Sequence, residues 1–376
     1  MSIQLTGNPF VNLVDIAINA GEVPFLLGSP GVGKSSFMQQ VAKMNNLLFV
    51  DVRLAGMDQT DIGGIPNFVD VLDDNGKVVG KRTAYIPNDL FPLRGMGDEK
   101  RLLKWNKDGT PKIDPDTGKQ DFYDGFLICL DELTSADEAV QAAAYQLILD
   151  RQVGQHKLLD NVCLAACGNK ASDGAIAGKL GTALQSRVVT LEVTVHHKSW
   201  MNWAAKNGIH QMILDYLTWR PEFLHHFDPN IDQLTFPCPR TWEKLSNLMN
   251  TEGSYTDDVH TLALGTIGKQ AAEFKSFVAY YANLPDIKKI IADPDNADLP
   301  TDVGQVYALT GVMSQGMLDN VGTAKIAPMV RYLERMEPEM QTVAMASAIR
   351  RNKKLIVDRA VSGWISTNKD RLTQAL

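Results

Sequence analysis

The sequence predicts an α/β core built on five strands, followed by an all-helical second part. Three observations lead to this prediction. As far as residue 195, short apolar runs of strand length alternate with stretches whose apolar residues recur at helical spacing. Beyond residue 195 the helical spacing prevails. The first apolar run, Val23 to Leu27, leads directly into a glycine-rich segment. The α/β core is therefore the part of the chain in which chemistry is expected.

The glycine-rich segment, residues 28–35, reads GSPGVGKS and matches the phosphate-binding pattern G-x-x-x-x-G-K-S/T throughout. Its glycines allow successive backbone N–H groups to turn toward phosphate oxygens, and the positive end of the following helix points at the same place. Lys34 can reach the terminal phosphates, and the Ser35 hydroxyl can bind a magnesium ion. The predicted nucleotide contacts are Gly28, Ser29, Pro30, Gly31, Val32, Gly33, Lys34, Ser35 and Ser36.

A second candidate for chemistry is the segment GFLICLDE, residues 125–132. Its apolar residues predict a fully buried strand that ends in Asp131 and Glu132. Ligands of open parallel sheets bind at the carboxyl ends of the strands, so both acids are expected at the site. Asp131 would hold the magnesium ion through its water shell or through the Ser35 hydroxyl. Glu132 would orient and deprotonate the water that attacks the γ-phosphate.

The other strands of the core are predicted at residues 47–52, 162–166 and 188–193. Asn169 follows the strand 162–166, and its amide could hydrogen-bond the attacking water or the γ-phosphate. A turn asparagine without such a role would give the same local pattern. Only the place of its strand beside the acidic strand favours the functional interpretation.

Two hairpins are predicted as insertions in the core. Asn75-Gly76 separates two alternating runs between residues 68 and 83, which is a strong signal for a hairpin. A shorter hairpin is predicted at residues 151–161. The polar segment 104–124 is rich in turn residues and is predicted to be a loop or a further hairpin.

In the second part of the chain, aromatic and aliphatic stripes predict a small all-helical domain. Residues 262–281 are expected to form one helix, and residues 293–300 are the best candidate for a domain boundary. The chain beyond is helical and contains a basic cluster at residues 350–354. This cluster is expected to be a solvated helix face, with a partner or nucleotide contact as the alternative.

Composition and charge narrow the class of protein. The chain has 376 residues, of which 44% are hydrophobic, so it can bury sizeable cores in two or three domains. Its net charge of −7 does not suggest a protein that coats nucleic acid. A local basic channel is still compatible with this charge, because electrostatic fields are set locally. No apolar run approaches the roughly 20 residues that span a bilayer, and the N-terminus lacks the pattern of an export signal. A cytoplasmic protein with no membrane partner is therefore expected.

The order of these motifs resembles that of the AAA+ ATPases: a P-loop, a strand ending in Asp-Glu, a strand followed by Asn, and Ser-Arg before a fifth strand. Within that superfamily the chain is most similar to the MoxR group. The stretches that match closely are Leu130 to Val153, Cys167 to Asn169 and Phe236 to Trp242.

The resemblance covers roughly residues 8–250 and implies the nature of the first two parts of the chain. Residues 1–195 would form an α/β P-loop NTPase core of the AAA+ type, with a five-stranded parallel sheet and helices on both faces. Residues 196–296 would form an all-α lid. Residues 297–376 are predicted to form a C-terminal helical extension, from the boundary candidate at 293–300 and the helical spacing beyond it. The hairpins would face the pore or the top of a ring. The long polar segment before the acidic strand departs from the pattern of the group.

The resemblance also implies roles for single residues. The positions that match the family's motifs are Lys34 and Ser35 for Walker A, Asp131 and Glu132 for Walker B, Asn169 for sensor 1, Arg187 for the arginine finger and Arg240 for sensor 2. A finger supplied in trans neutralises charge at the γ-phosphate only when subunits dock, so a ring, usually a homo-hexamer, is implied. The implied activity is a chaperone-like ATPase that uses ATP and Mg2+. Its implied partner is a protein with a von Willebrand factor A domain.

Two other functions remain open on sequence alone. A nucleic-acid motor or loader could use the same ATPase core, and it would need a basic pore lining. The candidates for that lining are Lys77, Lys81, Arg82 and Lys157. A nucleotide-gated assembly scaffold would instead hydrolyse ATP slowly and act through its bound state.

Overall fold

The computed structural model of the protein describes residues 7–173, 180–228, 230 and 234–375. The chain divides into two compact units, Met1–Thr194 and Val195–Leu376. The predicted division into residues 1–195, 196–296 and 297–376 stays a prediction. In the described ranges, no helix combines the length and the hydrophobicity that a membrane-spanning segment requires.

The first unit is an α/β domain with flanking helices. Its strands are β1 (Val23–Gly28), β2 (Leu47–Arg53), β3 (Ile65–Leu72), β4 (Val78–Ile86), β5 (Gly125–Asp131), β6 (Gln152–Val153), β7 (His156–Lys157), β8 (Val162–Gly168) and β9 (Val188–Val193). Its helices are α1 (Gly7–Asn19), α2 (Lys34–Met44), α3 (Gln59–Gly63), α4 (Glu138–Asp150) and α5 (Thr182–Gln185). The predicted fold class, a P-loop NTPase core with a following helical part, is confirmed by this architecture.

Five parallel strands form the central sheet in the order β2-β5-β8-β1-β9. The first six residues of β5, Gly125 to Leu130, are all buried, as expected for a strand with both faces covered. The last strand but one in sequence, β8, is inserted between β5 and β1. Parallel neighbours end at the same edge of the sheet, so the segments that follow β1, β5 and β8 lie side by side.

Both predicted hairpins are confirmed. Strands β3 and β4 pair antiparallel around a turn in which the Asp73 N–H donates to the Lys77 carbonyl, 2.9 Å away. Gly76 has a φ of 77°, a left-handed conformation that glycine adopts at little cost. Strands β6 and β7 form the second, shorter hairpin. Within the polar segment, isolated bridges join Trp105 to Pro111 and Ile113 to Gln120, so it folds back on itself without regular strands.

The second unit is helical. Its helices are α6 (His197–Ala204), α7 (Gln211–Trp219), α8 (Pro239–Glu252), α9 (Asp257–Ile267), α10 (Gln270–Tyr280), α11 (Ile287–Ala292), α12 (Val303–Asp319), α13 (Ile326–Leu333), α14 (Pro338–Arg351) and α15 (Arg359–Ala375). The single helix predicted over residues 262–281 is wrong, because α9 ends before Gly268 and α10 begins after it. Gly268 has a φ of 60°, and a Cβ there would lie 2.9 Å from the Thr235 carbonyl oxygen. The spacing of apolar residues continued through this break and concealed it.

A buried polar network links three helices of the second unit. Asp215 on α7 is 5% exposed, and its carboxylate accepts hydrogen bonds from Tyr281 Oη (2.6 Å) and Gln211 Nε2 (2.7 Å). Arg351 on α14 donates to Gln211 Oε1 at 2.6 Å. Gly311 on α12 leaves room for the carboxylate, since a Cβ there would lie 1.7 Å from Asp215 Oδ2. Burial raises the pKa of Asp215 to about 7, against the effect of these hydrogen bonds.

The basic cluster at residues 350–354 is not a uniformly solvated helix face. Arg351 is half-buried within the network just described, and half-buried Arg350 donates to the Ala375 carbonyl near the end of α15. Only Lys353 and Lys354 are exposed, in a turn after α14. The two arginines of this cluster therefore hold helices of the unit together.

Candidate nucleotide-binding site

The P-loop connects β1 to α2 and depends on glycine at three positions. Gly31 and Gly33 have φ values of 78° and 93°, both in the left-handed region. Gly28 ends β1 beside β9, where a Cβ would lie 2.6 Å from the Val193 carbonyl oxygen. Gly31 and Gly33 allow the loop to curl. Gly28 allows β1 to pair with β9 as far as the residue where the loop begins. The loop ends at Lys34, the first residue of α2.

Lys34 lies on the inside of this loop and is 9% exposed. Its ammonium donates to the carbonyl oxygens of Gly28 (2.7 Å) and Ser29 (3.0 Å) and to Asn169 Oδ1 (2.9 Å). The charge is therefore held at the start of the P-loop and beside the end of β8. A buried ammonium in a loop of this shape is suited to an anionic ligand.

The acidic strand meets the P-loop helix at Ser35. The Ser35 hydroxyl donates to Asp131 Oδ2 at 2.7 Å, and Asp131 Oδ1 accepts the Glu132 N–H at 2.8 Å. Glu132 is exposed and has a φ of 60°, a conformation that costs a non-glycine residue about 1–3 kcal/mol. The chain thus turns abruptly after Asp131, with Glu132 at the outside of the turn.

Asn169 follows β8 and joins this group through its contact with Lys34. Its main chain is held by Thr134, a buried residue that sequence reasoning missed. No local pattern distinguishes Thr134 from any other threonine in a turn. Its role becomes visible only in the folded protein, where its hydroxyl contacts the main chain of Asn169. Lys34, Ser35, Asp131 and Asn169 are thus brought together by hydrogen bonds between side chains, with Glu132 next along the chain.

Arg187 and Arg240 are the two arginines for which roles were predicted. The guanidinium of Arg187 lies over the ring of Tyr145 on α4, with 4.8 Å between its Cζ and the ring centroid, and Nη1 donates to Ser186 Oγ at 2.9 Å. Arg240 is exposed on the first turn of α8, in the second unit. Their roles as arginine finger and sensor 2 stay predictions.

The donor set of the site fits magnesium. This ion prefers oxygen ligands, and in phosphoryl-transfer sites it is held by one or two protein side chains together with phosphate and water oxygens. Ser35 and Asp131 offer two such side chains in direct contact. In the described ranges no group of three or more His, Cys, Asp or Glu side chains is placed to hold a metal ion.

Two cysteines pack directly behind the site. Cys129 on β5 and Cys167 on β8 are fully buried, with their Sγ atoms 3.7 Å apart. The contact with Cys167, together with burial, raises the pKa of the Cys129 thiol well above its usual range. This thiol therefore stays protonated and packs as a small hydrophobic group.

The basic residues that a nucleic-acid channel would need lie on the hairpins. Lys77, Lys81 and Arg82 belong to the exposed β3–β4 hairpin, and Lys157 lies on β7. Lys81 pairs across the hairpin with Asp70. This arrangement mixes both signs of charge and does not favour a nucleic-acid contact over a protein contact.

The sequence matches no protein-family model and no curated protein. Among solved structures, a point mutant of RuvB from Thermotoga maritima is 12% identical, with a TM-score of 0.36, and the alignment covers 76% of this chain and 75% of that one. NtrX from Brucella abortus in complex with ADP is 13% identical, with a TM-score of 0.37, and the alignment covers 98% of this chain and 70% of that one. The fold class rests on the strand order and the P-loop of the chain itself.

Proposed function

We propose that the protein binds ATP at the P-loop and hydrolyses it to ADP and phosphate. The observation that carries this proposal is the hydrogen bond of 2.7 Å between Ser35 and Asp131. It joins a complete phosphate-binding loop to an acidic strand end that lies 96 residues further along the chain. A glycine-rich turn without a ligand would not need a carboxylate at this place.

Binding follows from the loop and from Lys34. The N–H groups of the loop and the N-terminus of α2 supply partial positive charge, and Lys34 supplies a full charge. Because its ammonium already lies at the base of the loop, little reorganisation is needed to meet a terminal phosphate. The magnesium ion, when bound by Ser35 and Asp131, would neutralise charge on the phosphate oxygens.

Hydrolysis requires a water in line with the γ-phosphate. In our proposal, Glu132 accepts a proton as the water oxygen bonds to the γ-phosphorus, and the bond from that phosphorus to the bridging oxygen of ADP breaks. The Asn169 amide orients the water or the γ-phosphate. Lys34 stabilises the charge that develops on the phosphoryl oxygens.

We further propose a ring-forming AAA+ machine of the MoxR type that remodels or activates a protein partner. This finer proposal is supported only by the resemblance of the motifs quoted above. In it, Arg187 would complete the site of a neighbouring subunit, Arg240 would contact the nucleotide from the lid, and a protein with a von Willebrand factor A domain would be the client.

The test of hydrolysis is Glu132→Gln, with Glu138→Gln as the matched control. Glu138 is an exposed glutamate at the start of α4, six residues further along. The first variant should retain ATP affinity and lose about 100-fold or more in turnover, which is the usual contribution of a general base. The control should match the wild type in both measurements.

Phosphate release and binding of a fluorescent ATP analogue give the two readouts. Near-normal turnover by Glu132→Gln would overturn the assignment of the base. A wild-type protein that binds no ATP would overturn the whole proposal. The ATP-bound Glu132→Gln protein also serves as a trap from which a co-purifying client can be identified.

A further inference from the structure

Thr134 makes two hydrogen bonds to one residue of the proposed site. Its hydroxyl accepts the N–H of Asn169 at 2.9 Å and donates to the carbonyl oxygen of Asn169 at 3.1 Å. Thr134 is 3% exposed, so water does not compete for these bonds. A single hydroxyl thus fixes both polar groups of the residue-169 main chain.

The neighbouring residue is shaped to admit this contact. A Cβ on Gly168 would lie 2.8 Å from Thr134 Cγ2 and 2.9 Å from both Thr134 Oγ1 and the Phe25 ring. Any larger residue at 168 would therefore push the threonine away from Asn169. Glycine at this position, the last residue of the buried strand β8, lets the hydroxyl approach the main chain.

Thr134 also belongs to the segment that carries the acids. It lies in the 3-10 turn 133–135, which begins directly after Glu132. The two hydrogen bonds therefore connect the segment after β5 to the segment after β8. The same residue, Asn169, accepts a hydrogen bond from Lys34 at its Oδ1, at 2.9 Å. Displacement of the residue-169 main chain would change the direction in which its amide points.

We propose that Thr134 is a positioning residue for Asn169 in ATP hydrolysis. This inference rests on the proposed function of the site. Thr134 does not touch the nucleotide, and it acts by holding the Asn169 amide toward Lys34 and the γ-phosphate. Its effect should therefore fall on turnover and spare ATP affinity, which the P-loop supplies.

The test compares Thr134→Val with Thr134→Ser. Valine has the shape of threonine but lacks the hydroxyl, whereas serine keeps the hydroxyl and lacks one methyl group. Thr134→Val should lower kcat about 10- to 100-fold, the usual effect of misplacing a catalytic group by a fraction of an ångström to an ångström. Its Kd for ATP should stay within about threefold of the wild-type value, and Thr134→Ser should recover most of the turnover.

A double-mutant cycle with Asn169→Ala distinguishes positioning from general damage. If Thr134 acts through Asn169, Thr134→Val should lower kcat little further in the Asn169→Ala background. Equal losses in both backgrounds would overturn the proposal. So would wild-type turnover by Thr134→Val, or failure of Thr134→Ser to recover turnover while its thermal melting is normal.

The same measurements distinguish a failure of the positioning role from a failure of the proposed ATP hydrolysis. A wild-type protein that turns over ATP, beside a Thr134→Val variant that does so equally well, refutes the positioning role alone. A wild-type protein without turnover refutes both.

Discussion

Replacement of Asp215 by asparagine should remove a pH dependence from the stability of the second unit. Asp215 lies on α7, buried against α12 and Tyr281, and asparagine has nearly the same shape. Its Oδ1 can still accept from Gln211 Nε2, and its amide N–H can donate to the Tyr281 hydroxyl, which also accepts hydrogen bonds. Arg351 is the charged group that faces the network, through Gln211. The substitution thus removes a titrating proton at small cost in packing.

The size of the effect follows from the shift in pKa. Burial raises the pKa of Asp215 from 3.8 to about 7. The folded state therefore holds the proton more tightly than the unfolded state does, and the stabilisation is complete below pH 3.8 and is lost as the pH rises through 7. Between pH 5 and pH 8, this group should lower the free energy of unfolding by about 3 kcal/mol.

Urea unfolding at pH 5 and pH 8, followed by tryptophan fluorescence, measures this difference. Five of the six tryptophans lie in the second unit, the exception being Trp105. The wild type should lose about 3 kcal/mol more than Asp215→Asn between the two pH values. Asp370→Asn, at an exposed position on α15, is the control and should behave as the wild type. Equal pH dependence of the wild type and Asp215→Asn would show that the pKa of Asp215 is not raised by burial.

Two further predictions concern packing and assembly. Gly311→Ala should destabilise the second unit by about 3 kcal/mol or more, because the added methyl group overlaps the Asp215 carboxylate. The control is Gly363→Ala on α15, where the methyl group meets no atom within 4 Å and should stabilise the helix by up to about 1 kcal/mol. Thermal melting that ranks the two variants in the opposite order would contradict this account of the packing. Arg187→Ala should bind ATP normally and lose turnover about 10³-fold in assembled protein, and unchanged turnover of assembled rings would remove Arg187 from the finger role.

The P-loop and the hairpins could be predicted because their determinants are local. Residues 28–35 carry their own conformational requirements, since left-handed positions at Gly31 and Gly33 call for glycine. The turn at Gly76 is specified in the same way. The acidic strand was predictable because an unbroken apolar run of its length has few alternatives. In each of these cases the physical cause lies within about ten residues of sequence.

The helical part was harder to predict because the spacing of apolar residues shows neither where a helix is broken nor which groups its polar side chains contact. Gly268 breaks the predicted helix where the main chain of Thr235 comes close. In the sequence, Arg350 and Arg351 have the pattern of a solvated basic helix face. In the folded protein they donate hydrogen bonds to acceptors on α15 and α7. Asp215 lies within an apolar stripe and gives no sign of its burial.

The chemical groups of this protein can be read from the order of its residues: a phosphate-binding loop, a pair of acids at a strand end, and an asparagine after another strand. That these groups meet depends on the fold, because the order β2-β5-β8-β1-β9 inserts β8 between the acidic strand and the P-loop strand. The same insertion brings Thr134 to Asn169. Strand order is set by the packing of whole elements, and no short stretch of sequence encodes it.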